Sequence, residues 1–530
     1  MTTIDAPGGG RSAEGITSLV PARIDRLRWS PFHTRLIIAL GVAWILDGLE
    51  VQIASFSSTI ISKPAALHLS SGSVSFSVGT VYLLGEVAGA LFFGRLSDRW
   101  GRRNLFMITL GVYLAGGALT AATAGRSQGW VYFLDATRFI AGMGIGGEYA
   151  AINSAIDELI PARYRGRVDI GINGTYWGGA LLATILSLAV IKHLPDSYSW
   201  RVAFLFGPAL GLVVLFVRKN LPESPRWLLM HGRVKEAEAA TAEIERRSEA
   251  GGGHLEPVDN TRAIEVRPAS DIGFLALART LFSTYPRRSI LGASLMISQS
   301  FLYNAIFFTY ALVLTKVYGV SSSSTLYYFM FFAIGNLLGP LLLGGLFDTV
   351  GRRKMIAGTY LLAGVLLIIS ALFFQAGYLN ATTQTLCWCV IFFFASAGAS
   401  AAYLTVSEIF PVEVRAKAIA VFFAIAQIFG SIGPWLYGNL IGDGQNHTKL
   451  FLGYLLGAAV MIAGGLVEAA IGVDAEQKSL EDLSVFGGAT GPSPPLSNPT
   501  GAPRAPAART ILGDPPPGGS AKAPDPPPGP

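Results

Sequence analysis

Gly94-Arg-Leu-Ser-Asp98-Arg-Trp-Gly101-Arg102-Arg103 returns 250 positions later as Gly344-Gly-Leu-Phe-Asp348-Thr-Val-Gly351-Arg352-Arg353. A second block keeps the same offset: Glu158-Leu-Ile-Pro161-Ala-Arg-Tyr-Arg165-Gly-Arg167 returns as Glu408-Ile-Phe-Pro411-Val-Glu-Val-Arg415-Ala-Lys417. Each motif is polar and sits between long apolar runs. Two such motifs repeated at one spacing predict two homologous membrane halves. Parallel repeats of this kind place a solute site between the halves.

Composition points the same way. Of 530 residues, 51% are hydrophobic and 14% charged, with a mean hydropathy of +0.47, against roughly a quarter charged in soluble domains. Apolar windows long enough to span a bilayer fall near 34–62, 74–94, 104–124, 130–158, 168–191, 200–218, 288–312, 325–346, 355–377, 384–408, 416–441 and 449–472. The expected fold is an all-α membrane protein. Twelve transmembrane helices form two six-helix, pseudo-symmetric bundles over 34–219 and 287–473, with both termini cytoplasmic. Residues 1–33 form a polar N-terminal segment without a cleavable signal peptide, 220–286 a central cytoplasmic loop, and 474–530 a Pro/Gly/Ala-rich tail read as disordered. Arg95, Arg99, Arg102, Arg103, Arg163, Arg165, Arg167, Arg352, Arg353, Lys354, Arg415 and Lys417 all fall on one side, the positive-inside pattern. The net charge of +6 therefore reflects topology and implies no nucleic-acid partner.

Other features carry little chemistry. Cys387 and Cys389 lie in an apolar window without neighbouring His or Cys, which argues against a metal site. Asn380-Ala-Thr382 and Asn446-His-Thr448 match glycosylation sequons but sit in short loops. Arg233 to Ala250 reads as a charged helix along the cytoplasmic face. Gly142-Met-Gly144-Ile-Gly146-Gly147 lies inside a membrane window and follows no strand, so it predicts close helix packing and not a dinucleotide loop. The absence of a Gly-Lys-Ser/Thr phosphate loop argues against ATP as the energy source.

The Gly94–Arg103 block and its copy resemble the loop 2–3 and loop 8–9 motifs of the major facilitator superfamily. Pro222-Glu223-Ser-Pro-Arg226 resembles the motif that follows helix six in the branch holding sugar porters, organic-ion transporters and bacterial metabolite:proton symporters. Asp47-Gly48-Leu-Glu50 is similar to the DGxD/E motif of bacterial aromatic- and organic-acid symporters. Ala399-Ser-Ala-Ala-Tyr403 departs from the Pro- and Trp-containing helix-ten motif of sugar porters, which argues against a sugar. The resemblance covers about 30–475. It implies a multi-pass protein of the bacterial cytoplasmic membrane that moves a small organic solute with protons, without enzyme chemistry or cofactor, as a monomer.

Within that frame, Gly94, Asp98, Arg102, Arg103, Glu158, Arg165, Glu223, Arg226, Gly344, Asp348, Arg352, Arg353, Glu408 and Arg415 are expected to form the cytoplasmic gate. Gly94 and Gly344 let helix ends approach closely, and Asp98 and Asp348 meet helix N-termini. Inside the membrane the first half carries Asp47, Glu50, Arg138 and Glu148, and the 250-residue offset lands on Ile297, Ser300, Trp388 and Gly398. Single-copy charges at that depth are functional candidates. The resemblance makes Glu50 the proton carrier opposite Arg138, with Asp47 as rival and Glu148 nearby. Gln299, Tyr303 and Asn304 are similar to the polar helix-seven motif that holds solute, and Gln427, Asn439, Tyr176 and Trp177 are expected around the same cavity. The functional expectation is a proton symporter importing a small polar organic solute, with an organic or aromatic acid ahead of a polyol. The alternatives are a proton-antiporting exporter and a non-transporting sensor on the same fold.

Overall fold

The computed structural model describes residues 16–218, 223–250, 255, 257–258, 264–266, 273–410 and 412–473. The side chains of Asp98, Arg102, Glu158, Arg165, Asp348, Glu408 and Arg415 lie outside this description, as does everything from 474 onward.

Long helices dominate. The first set is α2 (Pro31–Ile61), α4 (Val81–Trp100), α5 (Arg102–Ala121), α6 (Gln128–Leu159) and α7 (Ala162–His193). It ends with the shorter pair α8 (Asp196–Phe204) and α9 (Phe206–Arg218). The second set is α13 (Pro286–Leu312), α14 (Thr325–Thr349), α15 (Arg352–Gln375), α16 (Ala381–Ile409), α17 (Val412–Ile441) and α18 (His447–Ile471). At 1.5 Å rise per residue, about 20 residues cross the hydrocarbon layer. Eleven segments among the described residues are long and apolar enough to do so. Helix α6, with 32 residues, is not among them; it carries Asp135, Arg138 and Glu148 along its length.

The ends of these helices follow from local chemistry. Pro31 opens α2, where its missing N–H removes no helical bond, and the Ser30 N–H is satisfied by His33 Nδ1 at 3.2 Å. Asn380 and Asn446 accept from the N–H groups of Thr383 (2.9 Å) and Lys449 (3.1 Å), so both sequon asparagines are helix N-caps. Gly101 and Gly351 have φ of +86° and +110°, the left-handed region that a side chain disfavours. They make the same tight turn before α5 and before α15.

Helix pairing repeats along the chain. α2 packs on α7, α4 and α5 on α6, and α5 on α9; correspondingly, α13 packs on α17, α14 and α15 on α16, and α15 on α18. Across the two sets the main contacts are α2 with α13, α4 with α17, and α7 with α14. The repeat reaches atomic detail. A side chain on Gly85 or Gly89 of α4 would collide with the Phe139 or Met143 carbonyl of α6. Gly335 and Gly339, 250 positions on, stand in the same way against the Cys389 and Phe393 carbonyls. Gly142 and Gly146 likewise press on the Tyr82 and Glu86 carbonyls, as the glycine run predicts. Around this core, Ile38, Phe331, Leu341 and Leu342 are exposed on outer helix faces, which suits lipid.

Several expectations need correction. The second window begins with a short helix α3 (Ser71–Ser75) and a π-helical turn at Phe76–Thr80 before α4, and the sixth breaks at Leu205. Gly344 has open space where a Cβ would stand, so it mediates no close approach here. The N-terminal segment is not featureless. Strand β1 (Ile16–Ser18) pairs antiparallel with β2 (Ile264–Val266) of the central loop, and α1 (Val20–Asp25) follows. The central loop also holds α10 (Pro225–Met230), α11 (Val234–Glu249) and α12 (Phe274–Thr284). Arg23 bonds Glu238 and Glu245 of α11, and Arg26 bonds Glu245. Val20, Trp227, Leu228, Leu229 and Ala237 form an apolar cluster beside these ion pairs.

Candidate transport site

Helix α2 presents Asp47 and Glu50, three apart on one face. Glu50 is fully buried and ion-pairs with the equally buried Arg138 of α6. Tyr113 Oη donates to the other Glu50 oxygen at 3.0 Å. Arg138 also donates to the Val78 carbonyl at 3.1 Å, in the π-helical turn. Its guanidinium lies 4.5 Å from the Tyr82 ring centre and 5.0 Å from that of Phe204. A buried charge pair is stable when both partners are matched and further hydrogen bonds serve the remaining polar atoms; Glu50 meets this through Tyr113, and Arg138 through Val78 with its Nε left unbonded. Asp47 accepts from Tyr82 Oη at 3.2 Å and from Tyr149 Oη. Glu148 lines the same void of about 10 Å³ with Ala43, Trp44, Asp47, Ile145 and Tyr149.

The polar residues expected from the second set converge as well. Gln427 of α17 accepts from Ser300 Oγ at 2.6 Å and from Asn304 Nδ2 at 3.1 Å. Its own Nε2 donates to Glu86 of α4 at 2.5 Å. Tyr303 donates to Asn336 at 3.3 Å and stacks on Phe307, whose ring meets Trp177 at 5.4 Å. Gln299 is buried next to Met296 Sδ, with Tyr403 against it. Tyr176 packs edge-on to Trp177. Tyr149 of the first set meets Phe423 of the second at 4.9 Å. Asn439 does not join them: it is exposed on α17 and bonds the Trp435 carbonyl.

Glu86 is a buried charge beyond Asp47, Glu50, Arg138 and Glu148. It is 2% exposed and is the lone acid in the 74–94 window, which was signal enough. The offset places Asn336, a neutral residue, at its counterpart. Buried charge is also not confined to the first set, because Glu468 of α18 is fully buried.

Of the gate residues, Glu223 lies at the start of α5. Its carboxylate accepts from the Arg103 backbone N–H at 3.3 Å and from the Ser224 N–H at 3.1 Å, and a Cβ on Gly101 would intrude on it. The motif that follows helix six therefore caps the helix that follows the first repeat, as the helix dipole favours. Arg103 is exposed, while Gly94, Arg226 and Arg352 are half-buried. Arg353 donates to the Ala469 carbonyl at 2.5 Å, tying α15 to the end of α18. A cavity of about 420 Å³ opens among Trp100, Arg103, Asn104, Glu223, Trp227 and Arg233, at the central loop and away from Glu50.

Long apolar helices that repeat their packing, with buried charge on facing helices, define a multi-pass membrane transporter. The chain belongs to the family described as sugar (and other) transporters, which matches residues 50–483. It is 28% identical to the niacin transporter NiaP of Acinetobacter baylyi, over 88% of this chain and 99% of that protein. It is 26% identical to the inner membrane metabolite transport protein YgcS of Escherichia coli, over 84% and 93%. Among solved structures, the partially occluded inward-open xylose transporter XylE of E. coli superposes with a TM-score of 0.68 at 20% identity, covering 85% of this chain and all of that one. The proton:xylose symporter XylE bound to 6-bromo-6-deoxy-D-glucose gives 0.66 at 19%, over 86% and 98%. The fold is that of the major facilitator superfamily. The protein is a transporter and not an enzyme, and the bacterial relatives agree with a cytoplasmic-membrane location.

Proposed function

We propose that this protein is a proton-coupled symporter that imports a small, flat, polar organic solute by alternating access. In this reading α6 is the twelfth span, residues 34–219 and 287–473 are the two six-helix bundles, and both termini are cytoplasmic. The repeated motifs from Gly94 and Gly344 close the cytoplasmic side. The carrying observation is the fully buried Glu50–Arg138 pair, whose 250-offset counterparts, Ser300 and Trp388, are uncharged. A structural charge would be expected to recur with the fold; a coupling charge need occur only once.

Protonation of Glu50 removes the charge that holds Arg138. Tyr113, the Val78 carbonyl and the Tyr82 and Phe204 rings then keep the two side chains solvated while the halves move. Release of the proton inside restores the pair. Each positive charge carried inward gains about 2.3 kcal/mol per 100 mV of membrane potential, enough to drive accumulation. Gln299, Tyr303, Asn304, Gln427 and Trp177 supply amide dipoles and an aromatic face for the solute. Arg138 is already held by Glu50, so the preference for an organic acid gains nothing from it. The niacin named for one relative makes a heteroaromatic ring the first candidate.

The test is uptake by reconstituted vesicles under an imposed pH gradient, across heteroaromatic solutes, organic acids and sugars. Solute entry accompanied by proton entry is expected. Proton exit on solute entry would make the protein an antiporter, and binding without flux would make it a sensor.

A further inference from the structure

Glu86 has its partner in the other half of the molecule. Its hydrogen bond to Gln427 joins α4 of the first half to α17 of the second. The Gln427 carbonyl oxygen is taken by Ser300 and Asn304 of α13, so its amide group has one orientation and travels with α13 and α17. Among the described residues the other bonds along this seam are neutral. Thr80 Oγ1 donates to the Ser431 carbonyl at 2.6 Å, and Ser71 Oγ to the Gly442 carbonyl at 2.5 Å. Water replaces such bonds at little cost when a seam opens. A carboxylate differs because it is an acceptor only and needs a donor wherever water is excluded. Asp47 and Arg138 are the charged groups that reach Glu86 electrostatically. Arg138 is committed to Glu50. Tyr149, Tyr176 and Tyr403 lie near enough to feel the Glu86 charge.

We propose that Glu86 selects the solute by accepting an N–H hydrogen bond from it, in place of the Gln427 amide, when the α4–α17 seam opens. The class of solute is then an amide, an amine or an N-protonated ring, in preference to the carboxylate of the same ring. The inference rests on the transport reading of this site. Among the described residues, a carboxylate solute would meet two acids, Asp47 and Glu86, and no cation near them other than Arg138, which is paired to Glu50. The flat faces of Trp177, Phe307 and Tyr303 take the ring in either case.

Calorimetry on the full-length protein in detergent tests it with three pyridine probes that carry a 3-carboxylate, a 3-carboxamide or a 3-aminomethyl group. The wild type is expected to bind the two donor probes at least about tenfold more tightly than the carboxylate, the scale of one charge-assisted hydrogen bond. Glu86→Gln should weaken the aminomethyl probe by about tenfold or more and narrow that gap. Carboxylate preference, no binding of either donor probe, or an unchanged ratio in folded Glu86→Gln overturns the assignment. If Glu86→Gln does not fold, the shorter Glu86→Asp must reduce the amine preference for the assignment to stand. Counterflow of the carboxamide into vesicles separates the two claims. Donor-selective binding without flux defeats transport but not Glu86, and flux with carboxylate preference does the reverse.

Discussion

Glu50 and Arg138 are each fully buried, and removing one charge of such a pair typically costs about 3–5 kcal/mol because the other is left unmatched. Here the Val78 carbonyl and two aromatic faces remain for Arg138, so Glu50→Gln is expected to lower Tm yet still fold. On the proposed coupling it mimics the protonated carrier. Counterflow should persist while proton-driven accumulation disappears. Asp47→Asn, measured beside it, should keep accumulation, and the opposite pattern would transfer the proton to Asp47. At the solute end, Asn304→Ala removes one donor to Gln427, and Gln299→Ala removes a buried amide. Each should raise KM by roughly 5- to 150-fold, the equivalent of about 1–3 kcal/mol, with expression in the membrane unchanged. Wild-type kinetics in both would leave these amides a packing role.

The α4–α6 seam has no room for side chains. A Cβ on Gly146 would enter the Glu86 backbone, and overpacking of this kind costs about 1–3 kcal/mol or more. Gly146→Val is expected to lower the yield of folded protein in the membrane, and Gly111→Ala, which faces open space, to leave it unchanged. The α1–α11 clasp behaves differently because it is electrostatic and outside the membrane. Burial alone would raise the Glu245 carboxyl, but hydrogen bonds and charge from Arg23 and Arg26 reverse this and hold it below the usual carboxylate range. A depressed carboxyl stabilises the folded clasp above its ordinary pKa, and the contribution is lost as pH falls through the depressed value. Hydrogen exchange over residues 16–28, corrected for intrinsic rate, should therefore be slow at pH 7 and accelerate below about pH 4. In Glu245→Gln it should be fast already at pH 7. Equal protection in mutant and wild type would mean that the β1–β2 pairing and the Val20 cluster hold the arm unaided.

At the scale of the molecule, the two sets of helices meet at α2–α13, α4–α17 and α7–α14. Alternating access requires such seams to open in turn. With Cys387 and Cys389 replaced by alanine, Thr80→Cys with Ser431→Cys should cross-link under mild oxidation and stop counterflow. Reduction should restore it. Unimpaired counterflow in the cross-linked protein would show that this seam does not open during transport.

The sequence by itself determined the repeat, and glycine contacts recur at its 250-residue offset where they can be followed atom by atom. Gly85, Gly89, Gly335 and Gly339 keep the 250-residue offset because a glycine that admits a neighbouring carbonyl is dictated by local backbone geometry. Gly101 and Gly351 do so because only a left-handed turn joins those helices. The pairing of Glu50 with Arg138 was implied by the family resemblance and not by spacing, which left Asp47 and Glu148 as equal partners, and the structure brings Glu50 and Arg138 together. Among the described residues eleven spans are evident from length and composition, and α6, which carries Asp135, Arg138 and Glu148, is not one of them. Only the tertiary structure decided that Gln427 would donate to Glu86, 341 residues away, and that Arg23 would clasp Glu245, 222 residues away. It also decided that Asn439 would stay outside the site. Such pairings depend on which helix faces are brought together and at what depth. Periodicity states that a face is buried but not which face it meets.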